Sequence, residues 1–126
     1  MSSTLTLMIP GGSSLSNSIE IPSILKVVRI GLPAQWDPVA SISFQIASFN
    51  TDDGNDFRDL YRVVQSATGE WIPYEVVVPQ IAPGSILSLP SGMGTSLGFL
   101  KIRSGTRSHP IAQAANRVFT LVLDSA

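Results

Sequence analysis

"ASISFQIA", Ala40 to Ala47, places Ile42, Phe44 and Ile46 on one side of an extended chain and Ser41, Ser43 and Gln45 on the other. Side chains alternate across a strand with period two, so the stretch predicts a β-strand with one dry face and one wet face. "RVFTLVLD", Arg117 to Asp124, repeats the pattern: Phe119, Leu121 and Leu123 face in, Thr120 and Asp124 face out, and Val118 and Val122 are apolar exceptions. "FLKIRSG", Phe99 to Gly105, sets Leu100 and Ile102 against Lys101 and Arg103, so its polar face is basic. Five further runs, "TLTLMI", "NSIEIPS", "LKVVRIGL", "YEVVV" and "SILSLP", recur between clusters of Gly, Pro, Ser and Asn. They bring the expected strands to about eight, the pattern of an all-β sandwich or barrel. Helical periodicity is nearly absent. Only "DFRDLYR" and "HPIAQAANR", the second with Pro110 in a first-turn position, are expected to form short helical turns. The chain therefore reads as all-β, a single jelly-roll-like or Greek-key β-sandwich of antiparallel strands.

At 126 residues one core suffices. Residues 18–126 are expected to form the sandwich. Residues 1–17 are expected to form an N-terminal arm with a flexible joint at Pro10-Gly11-Gly12, which makes the first strand a candidate for exchange between subunits. Charged residues make up only 13% of the chain, about half of the roughly 25% usual in soluble domains, and a surface so poor in charge suits coverage by partners. Eight Lys+Arg against nine Asp+Glu give none of the positive field that phosphate-backbone binding needs, so nucleic acid is not an expected partner. With no cysteine, disulfides, zinc-thiolate sites and thiol nucleophiles are excluded. The N-terminus lacks a basic leader, and no stretch approaches the roughly 20 apolar residues of a membrane-spanning helix. The expectation is a soluble, unprocessed chain with no membrane partner.

The candidate chemical sites are weak. "NTDDGNDFRDLYR", Asn50 to Arg62, holds four of the nine acidic residues. A calcium loop of the EF-hand kind needs alternating oxygen ligands before its glycine and a glutamate at the twelfth place. Here Gly54 directly follows Asp52 and Asp53. Asp-Gly and Gly-Asn suit a turn with positive φ, so the stretch reads as a strand-to-loop turn with Phe57, Leu60 and Tyr61 folding back onto the core. His109 is the lone histidine, with no flanking acid and no G-x-S-x-G elbow elsewhere, which disfavours a hydrolytic triad. Glu70 and Glu75 would serve a glycosidase only at a suitable separation. No catalytic residue, metal or cofactor is expected.

Aromatic residues say more. "PAQWDP" and "EWIPY" put Trp36, Trp71 and Tyr74 beside prolines. Trp36 reads as a cap on the core, and Trp71 reads equally as a cap or as an exposed interface anchor. Charge is also segregated: Lys101, Arg103, Arg107 and Arg117 lie in a region without acids, and Asp52 to Asp59 holds the acidic cluster. In an oligomer the basic stretch of one subunit can meet the acidic loop of the next.

"IGLPAQWDPVASISFQIA", "FRDLYR" and "GFLKIRSGTRSHPIAQAANRVFTLVL" follow in that order. Together they resemble the small β-sandwich structural proteins that tailed bacteriophages and phage-like gene transfer agents encode near their capsid genes. The similarity runs from about Ile19 to Leu123, and its motifs are structural rather than catalytic. The acidic turn is longer than the family pattern, and "TLTLMIPGG" lies outside it. The resemblance implies a non-enzymatic head decoration or spike-base protein, made in the host bacterial cytoplasm and resident on the capsid surface. Its implied partners are the major capsid protein and copies of itself, a trimer being favoured. The expected contact surfaces are Leu5 and Leu7 on the arm, Trp71, Tyr74, Lys101, Arg103, Arg107 and His109. The alternatives are a carbohydrate-binding module that presents Trp36, Trp71 or Tyr74 to a glycan, and a tail or neck adaptor.

Overall fold

The computed structural model describes residues 3–36, 39–48, 56–79, 82–89 and 98–125. Among them are eleven strands and no helix: β1 (Ser3–Ile9), β2 (Ile19–Glu20), β3 (Leu25–Gly31), β4 (Ile42–Ala47), β5 (Arg58–Asp59), β6 (Tyr61–Gln65), β7 (Trp71–Glu75), β8 (Val77–Val78), β9 (Ile86–Ser88), β10 (Phe99–Ser104) and β11 (Arg117–Ser125). One sheet has the order β1-β11-β3-β9. The other runs β2-β10-β4, with β5 and β8 both bonded to the far edge of β4. β6 and β7 form a separate two-stranded hairpin. All strand-to-strand pairings are antiparallel. The expected sandwich of antiparallel sheets is the observed fold. The strand count exceeds eight because "FRDLYRVVQ" supplies β5 and β6, and because Val76 divides "YEVVV" between β7 and β8.

The two sheets close over one core. β1, β3 and β11 contribute Leu7, Ile9, Val27, Ile30, Phe119, Leu121 and Leu123, and β4 and β10 contribute Ile42, Phe44, Leu100 and Ile102, each almost fully buried. The alternation in β4, β10 and β11 thus becomes a dry interface, with about 1.5–3 kcal/mol gained for each large aliphatic or aromatic side chain removed from water. A β-bulge shifts the register of β3 on β11 between Val122 and Leu123. The extra residue, Val28, lets Val27 and Ile30 both point inward although they are three apart. Trp36 fills one end of the core as expected. Its ring meets Phe119 edge to face at 5.3 Å, and its indole N–H donates to the Ala40 carbonyl at 3.0 Å.

Three local expectations are corrected. The N-terminal segment is not an arm: β1 pairs along its whole length with β11 of the same chain, and Leu7 and Ile9 lie in the core. Nor is Pro10-Gly11-Gly12 a loose joint. Gly11 N–H donates to Asn116 Oδ1 and Gly12 N–H to the Gln113 carbonyl, both at 2.8 Å, while Ser16 and Ile102 exchange two further bonds. The turn is pinned by residues about a hundred positions later. Finally, "DFRDLYR" and "HPIAQAANR" are not helical. Arg58 and Asp59 pair with β4, and the bridge from Gly105 to Pro110, with Ile111 N–H donating to the Ser104 carbonyl, ties the start of the second segment to β10. In each case tertiary hydrogen bonds override a weak local tendency.

Candidate functional site

The β6–β7 hairpin projects from the edge of the second sheet. Its turn follows from "QSATGEW": Gly69 N–H donates to the Ser66 carbonyl, Gly69 takes φ +89°, and Ser66 N–H donates to the Glu70 carbonyl at 2.7 Å. This is a three-residue loop closed by a left-handed glycine. Below it the chain returns to the sheet on both sides. β5 and β8 flank the hairpin and both pair with β4, Leu60 N–H donates to the Phe44 carbonyl, and Val76 N–H donates to the Leu60 carbonyl.

A lone two-stranded hairpin is marginal in water. Here its base is clamped by Arg103. The guanidinium donates from Nη1 to Asp59 Oδ1 at 2.6 Å, from Nη2 to Glu75 Oε2 at 2.7 Å and from Nε to Ser43 Oγ at 2.9 Å. One side chain, only 6% exposed, thereby ties both legs of the hairpin to β4. Ser43 Oγ in turn donates to the Gly105 carbonyl at 2.8 Å. Gly105 has φ +92°, and a Cβ there would collide with the His109 carbonyl oxygen. Arg107 forms a looser outer layer: its backbone N–H donates to Glu75 Oε2 at 2.9 Å, its Nη1 to the Tyr61 hydroxyl at 3.2 Å, and its Nε lies 3.4 Å from Asp59 Oδ2. Tyr61, followed by the carboxylates of Asp59 and Glu75, holds the Arg107 guanidinium above its ordinary pKa. Ser43, Asp59, Tyr61, Arg103 and Gly105, drawn from separate stretches of the chain, all converge on this clamp.

Above the clamp the hairpin is unusually apolar and open. Of nine large hydrophobic residues exposed among the described residues, five are on it: Tyr61, Val63, Val64, Trp71 and Tyr74. Trp71 is 65% exposed and Val63 63%. The register pairs Tyr61 with Glu75, Val63 with Pro73 and Gln65 with Trp71 on one face, and Arg62 with Tyr74 and Val64 with Ile72 on the other. Trp71 and Tyr74 therefore point to opposite sides. They cannot form one stacking platform for a sugar, and Trp36, buried in the core, is not presented at all.

The expected contact residues separate into two groups. Trp71, Tyr74, Arg107 and His109 are exposed on the hairpin and the adjoining turn. Arg103 is corrected from a surface residue to a buried clamp, because two carboxylates from distant segments neutralise it. Leu7 is a core residue, and Leu5 packs half-buried against the core. Lys101 is half-buried, with its ammonium 4.3 Å from the centre of the Phe57 ring. Phe57 and Leu60 turn to the interior as expected, whereas Tyr61 is exposed. Within the chain, Arg103 and Arg107 of the basic stretch meet Asp59, the last residue of the acidic one. Asp52, Asp53 and Gly54 lie outside the described residues.

Glu70 sits at the turn end of β7 and Glu75 at its base. Five residues of extended chain separate them by roughly 16 Å, well beyond the spacing of a glycosidase pair. His109 is exposed in a turn whose backbone closes on Thr106. Among the described residues no three His, Asp or Glu side chains are grouped to hold a metal ion, and no helix is long and apolar enough to cross a membrane.

The hairpin is the part of the site that the sequence does not announce. Its available signals were the Ser-Ala-Thr-Gly turn and Pro73, which suits an edge strand. No protein-family model matches the chain, and no curated protein matches it in sequence.

Proposed function

We propose that the protein is a non-enzymatic virion component, a decoration or cement protein that attaches to the assembled head of a tailed phage or phage-like particle through the β6–β7 hairpin. The observation that carries this reading is the concentration of exposed apolar side chains on one rigidly based projection. Large exposed apolar patches mark binding surfaces, and exposed aromatic residues are the usual energetic anchors of interfaces. The resemblance to small phage structural proteins supplies the partner, the major capsid protein. Many weak hairpin contacts across a repetitive shell would add up through avidity. The opposed orientations of Trp71 and Tyr74 support this reading over the carbohydrate-binding alternative.

The test is co-sedimentation of purified protein with shells lacking it. Trp71→Ala and Tyr74→Ala should each lower occupancy at least tenfold with the melting temperature unchanged. Wild-type occupancy by the double variant would count against the hairpin as the attachment surface.

A further inference from the structure

The two edges of the β6–β7 hairpin are not equivalent. Ser66 N–H donates to the Glu70 carbonyl at one end and Val76 N–H to the Leu60 carbonyl at the other. In an antiparallel ladder, bonded and non-bonded pairs alternate. Both ends agree on the parity: 62 with 74 and 64 with 72 are the bonded pairs, and the N–H and C=O groups of Tyr61, Val63 and Gln65 point outward from β6. On β7 the outward positions are Trp71, Pro73 and Glu75. Pro73 has no N–H to offer, and its ring blunts the middle of that edge. On β6 there is no such block. All five of its residues are exposed, and nothing among the described residues pairs with its outer edge.

We infer that β6 is a self-pairing edge: two copies of the chain join β6 to β6 antiparallel about a two-fold axis at Val63, making a continuous sheet β7-β6-β6-β7. The sequence of the strand is complementary to itself in this register. Val63 faces Val63, Tyr61 faces Gln65, and Arg62, the one charged residue of the strand, faces Val64 rather than its own copy. Like charges are therefore not opposed. The outward groups of residues 61, 63 and 65 would exchange about six hydrogen bonds. The exposed Val63 pair would be covered on one face and the two Val64 side chains on the other. With five residues a side the contact is short, so the dimer is concentration-dependent. It is two-fold, in place of the trimer that the phage-protein resemblance implies, and it is independent of what the rest of the hairpin binds.

The chain has no cysteine, which makes the test clean. Directly bonded antiparallel partners have Cα atoms about 5.5 Å apart, within disulfide reach. Val63→Cys should cross-link to a dimer on mild oxidation, and Gln65→Cys and Thr68→Cys alone should not exceed collisional background. A mixture of Tyr61→Cys and Gln65→Cys proteins should form the mixed dimer. By light scattering, wild-type mass should rise from 13.4 kDa towards twice that value with concentration. Val63→Glu and Val63→Lys should each dissociate at least tenfold more readily, and mixing them should restore association. Wild-type protein that stays monomeric at millimolar concentration would overturn the pairing, as would association without Val63→Cys cross-linking or equal association by the charged variants alone and mixed.

Discussion

β11 and β6 are both rich in Val and aromatic or aliphatic residues, yet they end in opposite environments. In β11 Phe119, Leu121 and Leu123 are wholly buried, whereas in β6 every residue is exposed. The difference is not propensity but a second layer. β11 lies under β4 and β10, so one face of its alternation is removed from water. Among the described residues β6 pairs only with β7, off the edge of the sheet, and every residue of "YRVVQ" stays exposed. A strand without a covering sheet contributes little to stability and leaves its apolar side chains in water. Backbone pairing of β5 and β8 with β4 holds the base of the hairpin, and Arg103, itself inside, grips both of its legs.

That contrast can be broken at either end. Phe119→Ala removes the largest core side chain of β11 together with its contact to Trp36, and should cost about 3–5 kcal/mol. Denaturant unfolding should record this as a lower midpoint. Arg103→Ala leaves Asp59 and Glu75 largely buried without their inner counter-ion, with only the exposed Arg107 still beside them, a loss of about the same 3–5 kcal/mol. Hydrogen exchange should show the loss first as faster exchange in residues 58–78. Gly105→Ala forces a left-handed residue and a collision with the His109 carbonyl, with at least about 1–3 kcal/mol from strain alone; the melting temperature should fall on the order of 5 °C. Trp71→Ala should change stability by no more than about 0.5 kcal/mol, because its side chain is mostly in water. If Trp71→Ala destabilised the fold as much as Phe119→Ala, the hairpin would be part of the core rather than a projection from it.

The sandwich was legible because its strands alternate, and alternation survives whatever the loops do. Ile42, Phe44 and Ile46 in β4, and Phe119, Leu121 and Leu123 in β11, declare their face locally. β6 was not legible for the converse reason: with both faces wet, "YRVVQ" has no period to find. From sequence Arg103 reads as a surface residue, because a lone arginine on a polar strand face is normally solvated. Its partners are 44 and 28 residues away in sequence, and only the sheet topology brings them to it. The glycines at 11 and 12 suggested mobility for the same reason, since their pins come from Gln113 and Asn116. Local pattern specified the layers, and long-range hydrogen bonds specified the turns and the site.

The chain has two tryptophans, one on each side of the contrast: Trp36 in the core and Trp71 on the hairpin. Acrylamide quenching of the free protein should resolve one protected, blue-emitting indole and one accessible, red-emitting indole, and Trp71→Phe should remove the accessible one. On adding shells that lack the protein, the accessible emission should shift to the blue and become protected. Shell-bound protein in which Trp71 stays as quenchable as in free solution would contradict the account.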